Sequence, residues 1–505
     1  MVKLFVDFFN YILRKKENLQ IPIPIPIPIP IPIPIPQTQI YQQTHPNQYA
    51  NSGELVKEIK PDIPIFLFRS HCLEKSAQWF CKNFPGEIYY AVKANSSPHI
   101  LQNLWANSIR CFDVASLHEI KLIKNMFPSA KLAFMHPIKN PNAISIAYNQ
   151  YGVRQFVLDS QEELEKIIIN TRQNNLNSVD SLDSLDSVDS VDSLDSLDSD
   201  ELTLIVRIKV DNYGSCLQLT NKFGCDDIDA IKLLKSARKV SKYIGISFHV
   251  GSQSIKPIVY SMALEIIAKI IDKAKIKIDI LDVGGGFPSI YDMEKSAPLN
   301  NYIQIITDSI NKFECFQNIN LWCEPGRGLV AESEGLLTRI DGIKGIKGID
   351  GIKGIKGIDG IKGIKNNCLY LNDGSFGALY DSVHEKWNYP VRVIKSSGQI
   401  LPIVYTHDLD LDSDLDLDSD LDLNLDSIQL EKNNLVPYII YGPTCDSADK
   451  FPNKLFLHKS IESGDYLEWG NIGAYGRAMT TQFNGFGFYQ TINVTDSPWV
   501  SIFDE

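Results

Sequence analysis

The sequence predicts an α/β protein in which a (β/α)8 barrel is followed by a C-terminal β-domain, with low-complexity loops inserted into both. Three observations carry that expectation. Up to about Val330, eight short apolar, β-rich runs are separated by stretches with apolar residues three to four apart, the helix period. Polar residues collect at or near the ends of those runs, where barrel enzymes keep their chemistry: Lys93, Asp113, His136, Asp159, Arg207, His249, the Gly284 triplet and Glu324. Beyond Val330 the pattern gives way to short strands and turns without helices of length.

In order, the eight runs are Ile88 to Asn95, Ile109 to Ser116, Lys131 to Pro137, Gln155 to Ser160, Leu202 to Val210, Ile244 to Ser252, Ile278 to Pro288 and Leu321 to Val330. Helical spacing fills Gln161 to Thr171, Asp226 to Lys242 and Val259 to Lys275. The β-domain strands are expected at Gly335 to Ile340, Cys368 to Asn372, Val391 to Ile394, Val436 to Tyr441 and Asp465 to Trp469. This divides the chain into an extension (1–36), a segment with one apolar run at Ile63 to Phe68 (37–68), the barrel (69–333) and the β-domain (334–505).

Four low-complexity tracts interrupt this plan: eight Ile-Pro pairs from Ile21 to Pro36, Ser-Leu/Val-Asp triplets (insert 174–200), Gly-Ile-Lys/Asp triplets (341–365) and Asp-Leu/Ser pairs (406–428). Alternating proline fixes half the backbone angles and removes half the donors, which gives an extended rod, while the aspartate tracts repel themselves and stay solvated. The last three are expected to loop outward, because lengthening a loop costs only about 0.6 kcal/mol per doubling. They also hold the charge. Of the net −12, seventeen charges are the aspartates of Asp180 to Asp200 and Asp408 to Asp426; without them, and without the Gly-Ile-Lys tract, the remainder is +2. No nucleic-acid or membrane footprint survives, and the aspartate tracts lack the glycine turn and spaced ligands of a metal site. Nine cysteines, an odd number with no C-x-x-C pair, fit a reducing cytoplasm. The apolar Phe5 to Leu13 is broken by Asp7 and followed, not preceded, by Arg14, Lys15 and Lys16, a poor signal peptide.

Lys93 stands in Tyr-Tyr-Ala-Val-Lys-Ala-Asn (Tyr89 to Asn95), closing an apolar strand. Alone, such a lysine snorkels to water. Its company points instead to Schiff-base chemistry: His-Val-Gly-Ser (His249 to Ser252), Gly-Gly-Gly-Phe-Pro (Gly284 to Pro288), Glu-Pro-Gly-Arg (Glu324 to Arg327), Gly-Pro-Thr-Cys-Asp (Gly442 to Asp446) and Gly-Ala-Tyr-Gly-Arg (Gly473 to Arg477). The order and wording of these motifs resemble the fold-type III, alanine racemase-like decarboxylases that use pyridoxal 5'-phosphate, and within them the ornithine/lysine decarboxylase branch. The resemblance covers residues 60 to 490, less three repeat tracts.

The resemblance implies that Lys93 holds the cofactor aldehyde, that Gly284, Gly285, Gly286, Ser252, Gly326, Arg327 and Tyr475 cradle its phosphate, and that His249 stacks on its ring. Glu324 would keep the ring nitrogen protonated and so favour decarboxylation over racemisation, with Asp113 and Arg207 supporting Lys93 and the ring. In such a family a strand from before the barrel joins the β-domain, which assigns 37–68 there, and a head-to-tail homodimer completes each site. Cys445 would then reprotonate the α-carbon, and Asp446, with Asp381 and Tyr380, would bind a distal ammonium. The implied reaction is decarboxylation of ornithine or lysine for polyamine supply in the cytoplasm. Diaminopimelate or carboxynorspermidine decarboxylation on the same scaffold is the alternative, and a catalytically inactive regulator the alternative of another class.

Overall fold

The computed structural model describes residues 48–172, 202–211, 214–217, 222–291, 296–346, 366–385, 387–402 and 434–503. In chain order these hold β1 (Ile65–Phe68), β2 (Glu87–Ala91), β3 (Cys111–Val114), β4 (Lys131–Phe134), β5 (Gln155–Leu158), β6 (Thr203–Arg207), β7 (Ser215–Leu217), β8 (Tyr243–Ser247), β9 (Ser252–Ser254), β10 (Ile280–Asp282) and β11 (Asn320–Cys323). Apart from β1, β7 and β9, these strands close into one parallel barrel, in which β11 returns to pair with β2. All eight expected runs are there.

Alternation along each strand sorts the core into two layers. Tyr89, Cys111, Ala133, Val157, Ile205, Ile280 and Trp322 fill the barrel as one cluster, with the Tyr89 and Trp322 rings 4.2 Å apart. Their neighbours Tyr90, Phe112, Phe134, Phe156 and Leu204 point outward into the apolar faces of the surrounding helices. Every barrel strand is shorter than its apolar run suggested, and two stop furthest short. The run to Val330 stops pairing at Cys323, because Pro325 has no N–H to give; its carbonyl accepts from Ala91 N (3.2 Å) and a helical turn, Arg327–Val330, follows. The run to Pro288 pairs only as far as Asp282, since Gly284 and Gly286 turn the chain with φ of +69° and +105°.

The remaining strands are β12 (Glu334–Ile346), β13 (Asn366–Leu371), β14 (Val391–Ile394), β15 (Leu435–Tyr441), β16 (Leu455–His458), β17 (Tyr466–Trp469) and β18 (Gln490–Asn493). They form a mixed sheet in the order β14-β17-β12-β13-β15-β16, and β1 adds to it by pairing antiparallel with β12 and parallel with β18. β18 (Gln490, Thr491, Ile492, Asn493) carries one apolar residue and gave no signal in the sequence. Neither did the helix Ser52–Ile59, which the Asn51 side chain caps by accepting from Glu54 N (3.0 Å) and which Leu55 and Val56 seat in the core.

One expectation needs correction. The Gly-Ile-Lys tract does not leave the fold at Asp341: its first six residues, Asp341–Ile346, continue β12 and pair with β13 out to Ile346 opposite Asn366. The register shifts between Ile340 and Gly342, a bulge at Asp341, after which Ile343 is half-buried against the core. A period of three does not suggest a strand, but the available edge of β13 makes one. The tract from 347 on, and the other three tracts, lie outside the described residues. The nine cysteines are all free. Among the described residues no helix is long and apolar enough to cross a membrane.

A buried ion network joins β1, the sheet and the C-terminal segment. Arg69, just past β1, reaches Glu468 (2.9 Å) and Asp496 (3.0 Å), and Arg392 reaches the same two carboxylates (2.8 and 3.1 Å) while Ser52 Oγ donates to Glu468. Burial opposes ionisation of Glu468, yet the two guanidiniums hold its pKa below the usual carboxylate range. Glu468→Ala leaves both arginines buried and half-compensated, so the variant is expected to lose about 3–5 kcal/mol, read from the urea midpoint of the sheet's unfolding.

Candidate active site

Lys93 sits on the 3-10 turn Val92–Ala94 that ends β2, and other parts of the chain hold that turn tightly. Tyr475 N donates to Ala94 O (2.8 Å), while Asn95 Nδ2 donates to both Gly473 O and Glu334 Oε2 (2.8 Å each). Lys93 exposes 46% of its side chain, yet protein charges surround it: Nζ lies 3.7 Å from Asp113 Oδ2 at the end of β3. Burial works hardest against its charge, but Asp113, Tyr475 and Glu324 outweigh it and raise the lysine pKa above its ordinary value. Asp113 is pushed up by burial and drawn back by Lys93 and Arg207, which ends β6.

The rest of the expected cofactor set arrives from β8, β10 and β11. His249, two residues past β8, accepts from Gly251 N on Nδ1 (3.0 Å), which assigns the ring proton to Nε2. Burial, then Lys93 and Arg207, push its pKa well below the usual value, so this imidazole is neutral at pH 7. Gly285 lies between His249 and β11: a Cβ there would stand 3.0 Å from His249 Nε2 and 2.7 Å from Glu324 O. At Gly284 a Cβ would fall 2.0 Å from Phe248 O and at Gly286 2.7 Å from Gly251 O, so the bare backbone of the triplet is obligatory. Gly326 packs its α-carbon against Ala91 and Ala94, beside the Tyr475 hydroxyl.

Arg327 closes this group. Its Nε donates to Ser252 Oγ (3.4 Å) and its Nη1 to Tyr291 Oη (3.1 Å), and its guanidinium lies 4.6 Å from the Trp387 ring centroid and 4.8 Å from that of Tyr475. Burial disfavours its charge, yet Tyr291, Tyr475, Tyr389 and Asp381 raise its pKa further. Asp381, in the short helix Tyr380–His384, is therefore near the same group; burial lifts its pKa and Arg327 opposes the rise. Tyr380 stacks on His384 at 4.1 Å. His136 packs edge-on to Phe223, and Asp159 accepts from Gly224 N (2.8 Å). Cys445 and Asp446 stand elsewhere, on an exposed loop of the β-domain where Cys445 N donates to Asn484 Oδ1 (3.1 Å) and Asp446 Oδ1 accepts from Ala448 N (2.8 Å).

One carboxyl at the centre carries no motif of its own in the sequence. Asp282 ends β10, directly ahead of the glycine triplet, and accepts from Gly284 N on Oδ1 (2.9 Å). Its Oδ2 and Glu324 Oε1 are buried oxygens that no N–H or O–H donor of the described residues reaches. Burial and mutual repulsion raise the Glu324 pKa well above the carboxylate range, and burial first of all pushes Asp282 up to about 6. Tyr291, Trp387 and Tyr389 are equally unmarked; they reach Arg327 from distant segments and share no motif. Among the described residues no group of three or more His, Cys, Asp and Glu is arranged to hold a metal ion.

The model of the pyridoxal-dependent decarboxylase pyridoxal-binding domain matches residues 70–331. The chain belongs to the pyridoxal-dependent decarboxylases. It is 25% identical to the lysine/ornithine decarboxylase of Selenomonas ruminantium over 457 residues, covering 88% of this chain and 94% of that one. It is 27% identical to ornithine decarboxylase 2 of Drosophila melanogaster over 426 residues, 83% of this chain and 88% of that one. Its fold resembles the Paramecium bursaria Chlorella virus arginine decarboxylase bound to agmatine, with a TM-score of 0.65 at 24% identity over 87% of this chain and 98% of that one.

The residues present fit pyridoxal 5'-phosphate. The site offers an amine on Lys93, a buried Glu324 oxygen without a donor for a protonated ring nitrogen, and glycine backbone beside a cationic Arg327 for a phosphate. Gly284→Ala is expected to weaken pyridoxal 5'-phosphate binding by about 10²-fold or more, read by spectroscopic titration, because the added methyl must displace the Phe248 carbonyl.

Glu334 makes a second prediction. It binds Asn95, His99 Nε2 (3.0 Å) and Arg477 Nη2 (3.0 Å), tying the Lys93 turn to the Tyr475 loop. Burial opposes its charge, but Arg477 and His99 hold its pKa down at about 2. A depressed carboxylate stabilises the fold above its unfolded pKa of 4.5 and loses that contribution as pH falls toward 2. Glu334→Gln should therefore be less stable than the parent at pH 7 and the gap should narrow between pH 4.5 and 2, in paired thermal melts.

Proposed function

We propose that this decarboxylase acts on a basic L-amino acid, ornithine or lysine, releasing carbon dioxide and the corresponding diamine, putrescine or cadaverine, for polyamine supply in the cytoplasm. The observation that carries the reading is Asp381, a buried carboxyl beside Arg327 whose side chain accepts no hydrogen bond from the described residues, and which is therefore available to a distal ammonium. The named ornithine and lysine decarboxylases among its relatives support the same substrate class.

Bound pyridoxal 5'-phosphate supplies the electron sink that stabilises the charge left as carbon dioxide departs. Lys93 would hold the cofactor aldehyde through its amine, which Asp113 orients from 3.7 Å. Glu324 would accept a hydrogen bond from the protonated ring nitrogen on its buried oxygen and so keep that nitrogen charged. His249, neutral, offers an uncharged face for the ring to lie against. The Gly284–Gly286 backbone, Ser252, Gly326, Arg327 and Tyr475 hold the phosphate, with Arg207 in support.

Cys445 and Asp446 lie on an exposed loop, so a partner subunit in a head-to-tail homodimer brings them to the site: Cys445 gives a proton to the α-carbon, and Asp446 joins Asp381 on the distal ammonium, with Tyr380 alongside. Two carboxylates on that ammonium favour ornithine or lysine and repel the second carboxylate of diaminopimelate.

The test is carbon dioxide release by the cofactor-loaded protein offered ornithine, lysine and meso-diaminopimelate in parallel, with Lys93→Ala as the control. Release from ornithine or lysine that disappears in the control is expected; release from diaminopimelate alone would sink the reading. Mixing Lys93→Ala and Cys445→Ala chains, neither of which turns over to diamine alone, should restore about a quarter of the parent's diamine formation, since one site in four of a random dimer mixture then pairs an intact Lys93 with an intact Cys445.

A further inference from the structure

Asp449 is almost fully buried, at 1% exposure, in the β-domain, and neutral groups alone satisfy its carboxylate. Oδ1 accepts from Ser375 N (2.7 Å) and Ser375 Oγ (2.9 Å); Oδ2 accepts from Thr444 N (2.9 Å) and Thr444 Oγ1 (2.7 Å). The two segments it joins are 69 positions apart in the chain. Thr444 immediately precedes Cys445 and Asp446, while Ser375 opens the stretch that leads to Tyr380 and Asp381. The surroundings are shaped to the carboxylate: a Cβ at Gly374 would lie 2.3 Å from Oδ1, and one at Gly442 2.2 Å from the same atom. Backbone bonds close the loop around it, Gly442 N to Asp449 O (3.0 Å) and Asp449 N to Asp446 O (3.1 Å).

The Ser375 side of this clamp is stiff. Asp373 accepts from Tyr489 Oη (3.0 Å) and Ala378 N (3.1 Å), so the segment from Asp373 to Ala378 is closed on itself and passes a shift at Ser375 along toward Tyr380. Among the described residues of one protomer, four neutral donors hold this one buried carboxylate, which fixes the loop's position closely.

Building on the function proposed above, we infer that Asp449 is the positioning residue that registers the Cys445–Asp446 loop against the Tyr380–Asp381 segment. Asp381 belongs to the site of its own chain, beside Arg327, whereas Cys445 and Asp446 serve the partner's site. Asp449 therefore fixes, within each protomer, the spacing between what it keeps and what it donates, and so sets the two carboxylates that meet the substrate ammonium in each site.

The consequence is read in where a proton goes. With Cys445 in place the α-carbon is protonated and the amine leaves intact. With Cys445 displaced, the α-carbon would lack its proton donor, and water would release an aldehyde in place of the amine, the amino group remaining with the cofactor. Asp449→Asn keeps the shape and turns an NH2 toward one pair of donors. The variant is expected to fold, to take up pyridoxal 5'-phosphate as the parent does, to lose at least about tenfold in kcat, and to raise the aldehyde share of product at least about tenfold, with faster hydrogen exchange at Thr444 and Ser375. An active parent whose variant keeps its kcat and aldehyde share overturns this inference alone. A parent that releases carbon dioxide from neither ornithine nor lysine overturns the proposed function and this inference with it. If Asp449→Asn does not fold, Ser375→Ala/Thr444→Val removes two of the four donors and leaves the carboxylate; the same losses are expected of it, and an unchanged kcat and aldehyde share there overturns the inference as well.

Discussion

The structure depends on an imbalance of buried charge at one end of the barrel. Three carboxyls, Asp113, Asp282 and Glu324, face two cations, Lys93 and Arg207, and burial raises the pKa of every one of the carboxyls. Lys93 and Asp113 form a pair at 3.7 Å. That leaves Asp282 and Glu324, whose carboxyls hydrogen-bond each other and whose pKa values burial raises together, so that the pair holds a proton where isolated carboxylates would not. An excess of carboxyls over cations at this end of the barrel suits a cationic group better than an anionic one.

Supporting this imbalance requires walls that do not yield. Glu334 is the main one, since its carboxylate touches Asn95 from the Lys93 turn, His99 from the following helix and Arg477 from the Tyr475 loop. Its low pKa and the raised ones of Glu324 and Asp282 come from the same burial with opposite neighbours: cations surround Glu334, carboxyls surround the other two.

Much of this was legible in the sequence because barrels put function at strand ends, and a strand end can be found by its apolar run. Lys93, Asp113, Arg207, His249 and Glu324 are found that way and lie where that rule puts them. Asp282 obeys the same rule, but the glycines that follow it extend the apparent run and hide the strand end it marks. Tyr291, Trp387 and Tyr389 were not legible: each is an ordinary aromatic in an ordinary run, and only folding brings them to Arg327. Glu334 and Asp449 follow the same logic. Glu334 reaches Arg477 and Asn95 across 143 and 239 positions, Asp449 reaches Ser375 across 74, and no local pattern marks a buried carboxylate that tertiary donors will satisfy. The eight residues Ser52–Ile59 and the four of β18 were too short for periodicity to separate from loop.

Two of the repeat tracts interrupt the chain where its two ends already meet. Ile346 and Asn366 are cross-strand neighbours in the β12–β13 ladder, so whatever length lies between them, the register of the two strands is set by the pairs behind that junction, from Ile340 and Leu371 onward. Pro402 and Asn434 line one cavity of about 240 Å³ with Val391 and Leu457, so the chain leaves and re-enters the sheet at one place there too. Closing a loop costs more as it lengthens, but only logarithmically, and a junction whose ends are pinned passes none of that cost to the residues beyond it. The same geometry explains why the six triplet residues that do belong to the sheet were recruited: once a repeat grows out of a hairpin, its first residues inherit the ladder of the strand they extend.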